Sequence, residues 1–346
     1  MACASEFPHM IRQMFITKEY NPRGKYKVRI FDPIKEKFVV VTVDDYIPCH
    51  KGTKRPRFMS PNGNELWAIV LEKAYAKFCG SYADLAGGFV LWGWLSMTGD
   101  HVFQMTKNDG SSSSSSSTKK GKKKSHGKVG EWYREDMKAL QEQGDKRACG
   151  FVRTKETYTK ENIWTLLKSY DQQRALISAS ISKSADAKHD GPAGEEMLDK
   201  EGLVAGHAYS VIQAREVKGG FRLLQLRNPW GSFEWKGAWS DKSKLWKEHP
   251  EVAKQVKFVD ADDGAFWMTF EDFIKVYTRL NICDRTTARD WSLDVNEDMG
   301  SCGIFKGFCF GCTEFWCCCR GFHNLYFAHH TTEETLDAKE KMCWIC

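Results

Sequence analysis

The sequence predicts a globular chain that mixes helices with strands, folded as one bilobed domain or as two domains. Three observations lead there. The length, 346 residues, suffices for one large core or two modest ones. Hydrophobic residues make up 42% and aromatic residues 13%, which excludes a disordered or collagen-like chain. Segments with helical spacing stand beside strand segments joined by tight turns, and no internal repeat is visible.

The elements follow in order. Phe7, Met10, Ile11 and Phe15 recur at helical spacing, so 1–15 read as the middle of a helix. No N-cap or entry loop precedes them, and the expectation is that the chain begins inside an element. Two strands, 26–31 and 38–43, are joined across a turn at Asp32-Pro33. Asn62-Gly63-Asn64 offers caps for a helix over 65–78, whose Leu66, Val70, Tyr75 and Phe78 form an apolar stripe ended by Gly80. Residues 109–130 are low-complexity, with unbroken serine from Ser111 to Ser117 and then a run of lysines. Such a stretch has too little apolar surface to offset its ordering entropy. It reads as a disordered insertion, because the pattern on each side is globular. A helix over 161–170 follows, then strands at 175–181, 208–214 and 221–226, the last two turned into a hairpin by Gly219-Gly220.

Charge and cysteine narrow the function class. The net charge of +6 is matched by Lys119, Lys120, Lys122, Lys123, Lys124 and Lys128 alone, and the remainder is neutral. That tract reads as a solvated loop able to attract any anionic surface. It gives no sign of a base-reading fold, so nucleic acid is not expected as a partner. The most apolar stretch, 87–95, is far shorter than the roughly 20 residues a membrane span needs. Glu6 and Pro8 interrupt the start before any signal-peptide run develops. Of thirteen cysteines, eight crowd the last 45 positions, unlike a secreted disulfide framework. The expected location is cytoplasmic, with a specialised tail.

The chemistry concentrates in Gly206-His207-Ala208-Tyr209-Ser210 and Arg227-Asn228-Pro229-Trp230-Gly231. A histidine opens one strand and an asparagine ends its antiparallel partner, where Pro229 stops the ladder. Both side chains then lie near one end of a sheet. An Asn amide oxygen accepting the imidazole N–H fixes the ring's tautomer and leaves the other nitrogen to take a proton from a nucleophile. Trp230 is placed to cover that hydrogen bond. This is the base-plus-orienter half of a Cys-His-Asn site. The plain alternative is a hairpin pair whose two side chains merely satisfy each other.

These strings resemble the calpain family of papain-like cysteine proteases, which read G-H-A-Y-S-V and then L-R-N-P-W-G. The likeness runs on through Glu234-Trp235-Lys236-Gly237-Ala238-Trp239-Ser240-Asp241 and Asp263-Gly264-Ala265-Phe266-Trp267. Upstream it takes in Val43-Asp44-Asp45 and Leu71-Glu72-Lys73-Ala74-Tyr75-Ala76-Lys77. The resemblance covers most of 7–284, so 1–284 are expected to form the protease core and 285–346 a Cys-rich tail. It implies an α+β, papain-like two-lobed fold. A helical lobe carries the cysteine at a helix N-terminus, where dipole and imidazolium stabilise thiolate, and a β-rich lobe carries histidine and asparagine. By motif match His207 is the general base, Asn228 its orienter and Trp230 the shield. The family's nucleophile lies in Q-G-x-L-G-D-C-W, upstream of the first hairpin, and no such string occurs here. The expectation is that Met1 falls just downstream of it, leaving the helical lobe truncated and the chain inactive as given. Cys3 lacks the Asp before and the Trp after, and reads as a small buried helix residue.

The resemblance also implies calcium at acidic loops, since hard cations take several oxygen ligands. Glu65 matches a ligand of one site, and Glu234, Asp241 and Asp263 match ligands of the second, with the Ala261 carbonyl. Ala265 stands where a glutamate is usual, which weakens that site. The plain readings are solvated acids and, for Glu65, a favourable charge in a helix's first turn.

Beyond 284 the likeness fades, and no D-x-D-x-D-G loop follows. Three readings of the tail stand side by side. Cys317, Cys318 and Cys319 beside aromatic and basic residues suit S-acylation, and Cys343 loosely fits a prenylation signal. Cys309/Cys312 and Cys343/Cys346, with His329 and His330, offer zinc ligands at an unusually long separation, which is not favoured. Reduced structural thiols are the third. Lipidation together with the lysine tract would supply the two signals that stable peripheral membrane anchoring needs. Two functions therefore compete: a calcium-dependent cysteine endopeptidase core performing limited proteolysis of intracellular protein substrates, and a pseudoprotease that binds partners as a scaffold or at a membrane.

Overall fold

A computed structural model of the chain describes residues 2–61, 65–108, 128–140, 147–182, 196–198 and 202–284. They fall into two compact units. One is built on a large sheet and draws on Met1–Glu6, Asp100–Lys138 and Cys149–Thr287; the other comprises Phe7–Gly99 with Ala139–Ala148. The insertion residues 109–127 and the tail from 285 onward, with Cys317, Cys318, Cys319 and Cys343, lie outside the described residues, as do Asn62–Asn64.

The first fifteen residues correct the sequence reading. They form two short helices, α1 (Ala2–Ser5) and α2 (Pro8–Met14), instead of one. Pro8 is the cause: its ring disfavours the α region for the residue before it, and Phe7 sits at φ −126°, ψ 73°. Pro8 can begin a helix at its first position but cannot continue one.

The helical unit opens with a hairpin of β1 (Lys25–Asp32) and β2 (Lys37–Asp44), in register from Lys25↔Asp44 to Asp32↔Lys37. Asp32 makes the turn, its Oδ1 accepting the Ile34 and Lys35 N–H groups at 3.0 and 3.2 Å. Helix α3 (Trp67–Cys79) packs on β2, and α4 (Val90–Thr98) packs on β1. Helix α3 starts two residues later than the sequence pattern implies, so Glu65 precedes it and is not a first-turn charge. Gly99 ends α4 at φ 69° with its N–H on the Leu95 carbonyl at 2.7 Å. A Cβ there would meet the Phe31 ring at 3.0 Å, so glycine serves both the turn and the packing.

The sheet unit continues through β3 (His101–Lys107), β4 (Trp132–Ala139), β5 (Cys149–Tyr158), α5 (Lys160–Gln172), β6 (Leu176–Ser180), β7 (Glu196–Leu198), β8 (Leu203–Ala205), β9 (Ala208–Val217) and β10 (Phe221–Arg227). It closes with α6 (Leu245–Glu248), α7 (Pro250–Val256), β11 (Ala265–Thr269), α8 (Phe270–Val276) and β12 (Arg279–Asp284). Eight strands pair in the order β11-β10-β9-β6-β12-β3-β4-β5, while β7 and β8 form a separate ribbon. Pairings from β11 across to β4 are antiparallel. This segregation of helices from an antiparallel sheet is the predicted α+β class.

Period-two alternation covers both faces of β9 to β11. Phe266 and Met268 enter the core that α5 and α8 close, with Leu224 and Leu226. Trp267 and Leu223 point the opposite way, into a second core with Trp239, Trp246 and Val252 of the 239–256 segment. A sheet end clamped from both sides is a rigid place to mount side chains that must hold their geometry.

Candidate active site

His207 immediately precedes β9, and Asn228 immediately follows β10. The hairpin register, Arg227↔Ser210 and Leu226↔Val211, brings the two to the same end of the sheet. Gly219 and Gly220 make the connecting turn at φ 85° and 78°. His207 Nε2 lies 2.8 Å from Asn228 Oδ1. Asn228 is fully buried and His207 is 8% exposed.

The orientation of the Asn228 amide follows from its other partners. Its Oδ1 also accepts the Trp230 N–H at 3.1 Å, while its Nδ2 donates to the Phe233 carbonyl at 3.3 Å. The oxygen therefore faces the imidazole, so Nε2 carries the hydrogen and Nδ1 holds the lone pair of the neutral ring. Trp230 packs on the imidazole with ring centroids 4.2 Å apart, and the residue is 46% exposed.

Two further supports were not read from the sequence. Tyr209 meets the His207 ring edge-on at 5.2 Å and 84°, and its hydroxyl accepts the buried Val204 N–H at 2.7 Å. Tyr209 thus ties β8 to the turn that carries His207. Gly264, at φ 82°, accepts the Asn228 N–H at 2.8 Å. A Cβ on Gly264 would sit 2.7 Å from the Asn228 carbonyl oxygen and 2.8 Å from Gly231 Cα. Only glycine allows that approach. In sequence Gly264 stands within the Asp263-Gly264-Ala265-Phe266-Trp267 string, which does not tell of its contact with Asn228.

Cys3 is buried on α1, and its Sγ donates to the Ile177 carbonyl at 3.3 Å. Burial pushes its thiol up to about 11, so it stays protonated near neutrality. That matches its reading as a packing residue.

The acidic residues divide. Glu234 Oε1 accepts the Gly264 N–H at 2.8 Å, and desolvation, with the Asp262 and Asp263 charges, raises its carboxyl. Asp241 is pushed up to about 6, by desolvation first and then by the Glu234 charge. One of its oxygens, Oδ2, is buried without a hydrogen-bond partner among the described residues. Asp263 is engaged elsewhere: Oδ1 caps the Ala265 N–H at 2.9 Å, and Oδ2 faces Arg227 at 3.5 Å. Glu65 belongs to the helical unit, where its Oε2 accepts the Trp67 indole N–H at 3.1 Å. Among the described residues no three His, Cys, Asp or Glu side chains gather to hold a metal ion. The donor chemistry of Glu234 and Asp241, with one orphaned buried oxygen, fits a hard cation; a full cage is not assembled.

No described helix is long and apolar enough to cross a membrane. A profile described as calpain family cysteine protease matches residues 1–284. The chain is similar to the calpain-type cysteine protease ADL1 of Oryza sativa subsp. japonica, 34% identical over 275 residues, which are 79% of this chain and 10% of that protein. It is likewise similar to calpain-8 of Rattus norvegicus, 33% identical over 71% of this chain and 28% of the relative. With the calpain-1 catalytic subunit of Homo sapiens the identity is 32%, over 79% of this chain and 32% of the relative. The chain thus spans between a tenth and a third of these relatives' lengths. The paired His207 and Asn228, the antiparallel sheet that mounts them and the match across 1–284 converge: the chain belongs to the calpain family of cysteine proteases.

Proposed function

We propose that this chain supplies the histidine–asparagine part of a calpain-type cysteine endopeptidase acting on protein substrates. The single observation that carries the reading is the His207–Asn228 hydrogen bond, with the amide oriented by two independent partners. Asn228 holds the ring so that Nδ1 is the basic nitrogen. That nitrogen takes the proton from a thiol as the thiolate attacks a peptide carbonyl, then returns it to the leaving amine. Trp230 limits water at the Asn–His bond, which strengthens it. The thiol is not Cys3, whose burial keeps it protonated. It is one of the family's Q-G-x-L-G-D-C-W kind, a string these 346 residues do not contain.

Calcium, in this reading, is held by Glu234 and Asp241, where it would supply positive charge to two carboxylates whose ionisation burial resists. The support is the orphaned Asp241 Oδ2 and the mutual repulsion of the pair. A cytoplasmic setting, with peripheral membrane attachment through the tail, remains part of the proposal on sequence grounds alone.

The test joins the chain to a family segment that bears the cysteine and measures cleavage of a fluorogenic peptide. Activity that disappears in His207→Ala supports the protease reading. Alkylation by iodoacetamide provides the control: in the chain as given, rapid thiol modification below neutrality is not expected. If the joined protein folds, carries a reactive thiolate and still cleaves nothing, the non-catalytic scaffold replaces the enzyme.

A further inference from the structure

The helical unit carries a basic finger outside every residue discussed above. Every residue from Cys49 to Arg55 is exposed, so this segment stands off the surface. It is nonetheless ordered by its own bonds. The His50 N–H donates to the Arg55 carbonyl at 3.0 Å, and the Arg57 N–H to the Pro48 carbonyl at 2.9 Å. Cys49 and Pro56 form a bridge between the two limbs. At the tip, the Thr53 N–H and hydroxyl both reach the His50 carbonyl, at 3.0 and 3.1 Å, and Gly52 takes φ 75°.

The finger displays Lys51, Lys54, Arg55 and Arg57, all exposed, and no acidic residue occurs between Asp45 and Glu65. Lys51, Arg55 and Arg57 have no ion-pair partner among the described residues. Where the finger rejoins the unit, Phe58 stacks on Tyr82 with ring centroids 4.8 Å apart and remains 46% exposed. Tyr46, just before the finger, is 82% exposed.

We propose that this finger is a docking element for an anionic lipid surface. Four cations on a pre-formed turn meet a negative headgroup layer with little ordering cost, and the exposed rings at the base suit the membrane–water boundary. The shape decides between polyanions. A groove tracks an extended strand of nucleic acid or an acidic peptide, whereas a convex finger with cations around its tip presents them to a plane. The proposal does not depend on catalysis or on the tail.

The experiment is cosedimentation of the full chain with vesicles of phosphatidylcholine, with and without phosphatidylserine. The comparison is with the variant Lys51→Gln, Lys54→Gln, Arg55→Gln, Arg57→Gln. The lysine tract at 119–128 is intact in both proteins, so any difference belongs to the finger. Each cation near such a surface is worth about fivefold in partitioning, so the variant is expected to bind serine-containing vesicles at least about tenfold more weakly. Raising salt should remove the difference. A second variant, Arg55→Lys with Arg57→Lys, keeps the charge and should bind as the parent does. Binding of the neutralised variant within about twofold of the parent overturns the proposal. So does a parent that ignores the vesicles and binds polyglutamate or single-stranded oligonucleotide instead.

Discussion

The turn after β10 and the acidic loop beside it are neighbours in the fold and opposites in their electrostatics. Every hydrogen-bonding atom described for the Asn228 side chain has a partner: Oδ1 accepts from His207 and Trp230, and Nδ2 donates to Phe233. In the acidic loop Asp241 keeps a buried oxygen without one, and two carboxylates repel each other. One residue joins the two regions. Gly264 accepts the Asn228 N–H with its carbonyl and donates its own N–H to Glu234. The contrast teaches that the hydrogen-bonding groups of the His207–Asn228 turn are matched by protein atoms, whereas the acidic loop keeps a buried carboxylate oxygen that they leave unmatched.

The comparison breaks most visibly if the satisfied side is removed. In a protein carrying the cysteine segment, His207→Ala should lower kcat/KM by about a thousandfold or more, because no other described group is placed to move the proton. Asn228→Ala should cost roughly a hundredfold by freeing the ring to rotate. Peptide-cleavage assays measure both. An Asn228→Ala enzyme with full activity would mean that the hydrogen bond only packs the hairpin.

A backbone variant sharpens the point. Gly264→Ala places a Cβ against the Asn228 carbonyl and Gly231 at a positive φ, so it should destabilise the fold by about 2–3 kcal/mol. Denaturant titration measures it. A neutral result would show that the 228–231 turn yields easily, and the site would not be rigid.

Tyr209→Phe should have a smaller effect. It keeps the ring beside His207 and deletes the acceptor for the buried Val204 N–H, at a cost of about 1–2 kcal/mol. Urea unfolding reads that loss. A change below the error of the titration would show that water replaces the hydroxyl, leaving β8 untied from the His207 turn.

How much of this was legible in sequence follows the same division. The closeness of His207 and Asn228 was readable because a hairpin with a two-glycine turn places its ends together by local chemistry. The hairpin of β1 and β2 was readable for the same reason. Gly264 was not, since it reaches Asn228 across 36 positions and its importance lies in a missing Cβ. Strands β3 and β12 escaped because they pair with each other across half the chain or more, and β4 and β5 because their patterns are mixed, with Arg134 and Arg153 inside them. The break at Phe7 was legible in principle, as Pro8 announces it. The apolar spacing of Phe7, Met10 and Ile11 outweighed that signal. The acids Glu234 and Asp241 were read by motif, but the approach of Asp263 to Arg227 is a tertiary matter that no spacing encodes.

The gentlest variant tests the unsatisfied side directly. Asp241 is held at about 6 in the folded protein, above the ordinary carboxylate value of 3.8. Below the lower value the carboxyl is protonated in both states and contributes nothing. As pH rises from about 4 to 6 the unfolded chain loses this proton first, so the folded state falls in relative stability, and the penalty is fully present above about 6. Because the group is partly exposed, screening reduces that penalty to about 1 kcal/mol. Asp241→Asn should therefore melt higher than the parent at pH 7 and equally at pH 4. Added calcium should raise the parent's melting temperature and leave the variant's nearly unchanged. Parallel melting curves at both pH values would show that Asp241 ionises without strain. The loop would then be an ordinary solvated surface, and the contrast with the Asn228 turn would lose its second half.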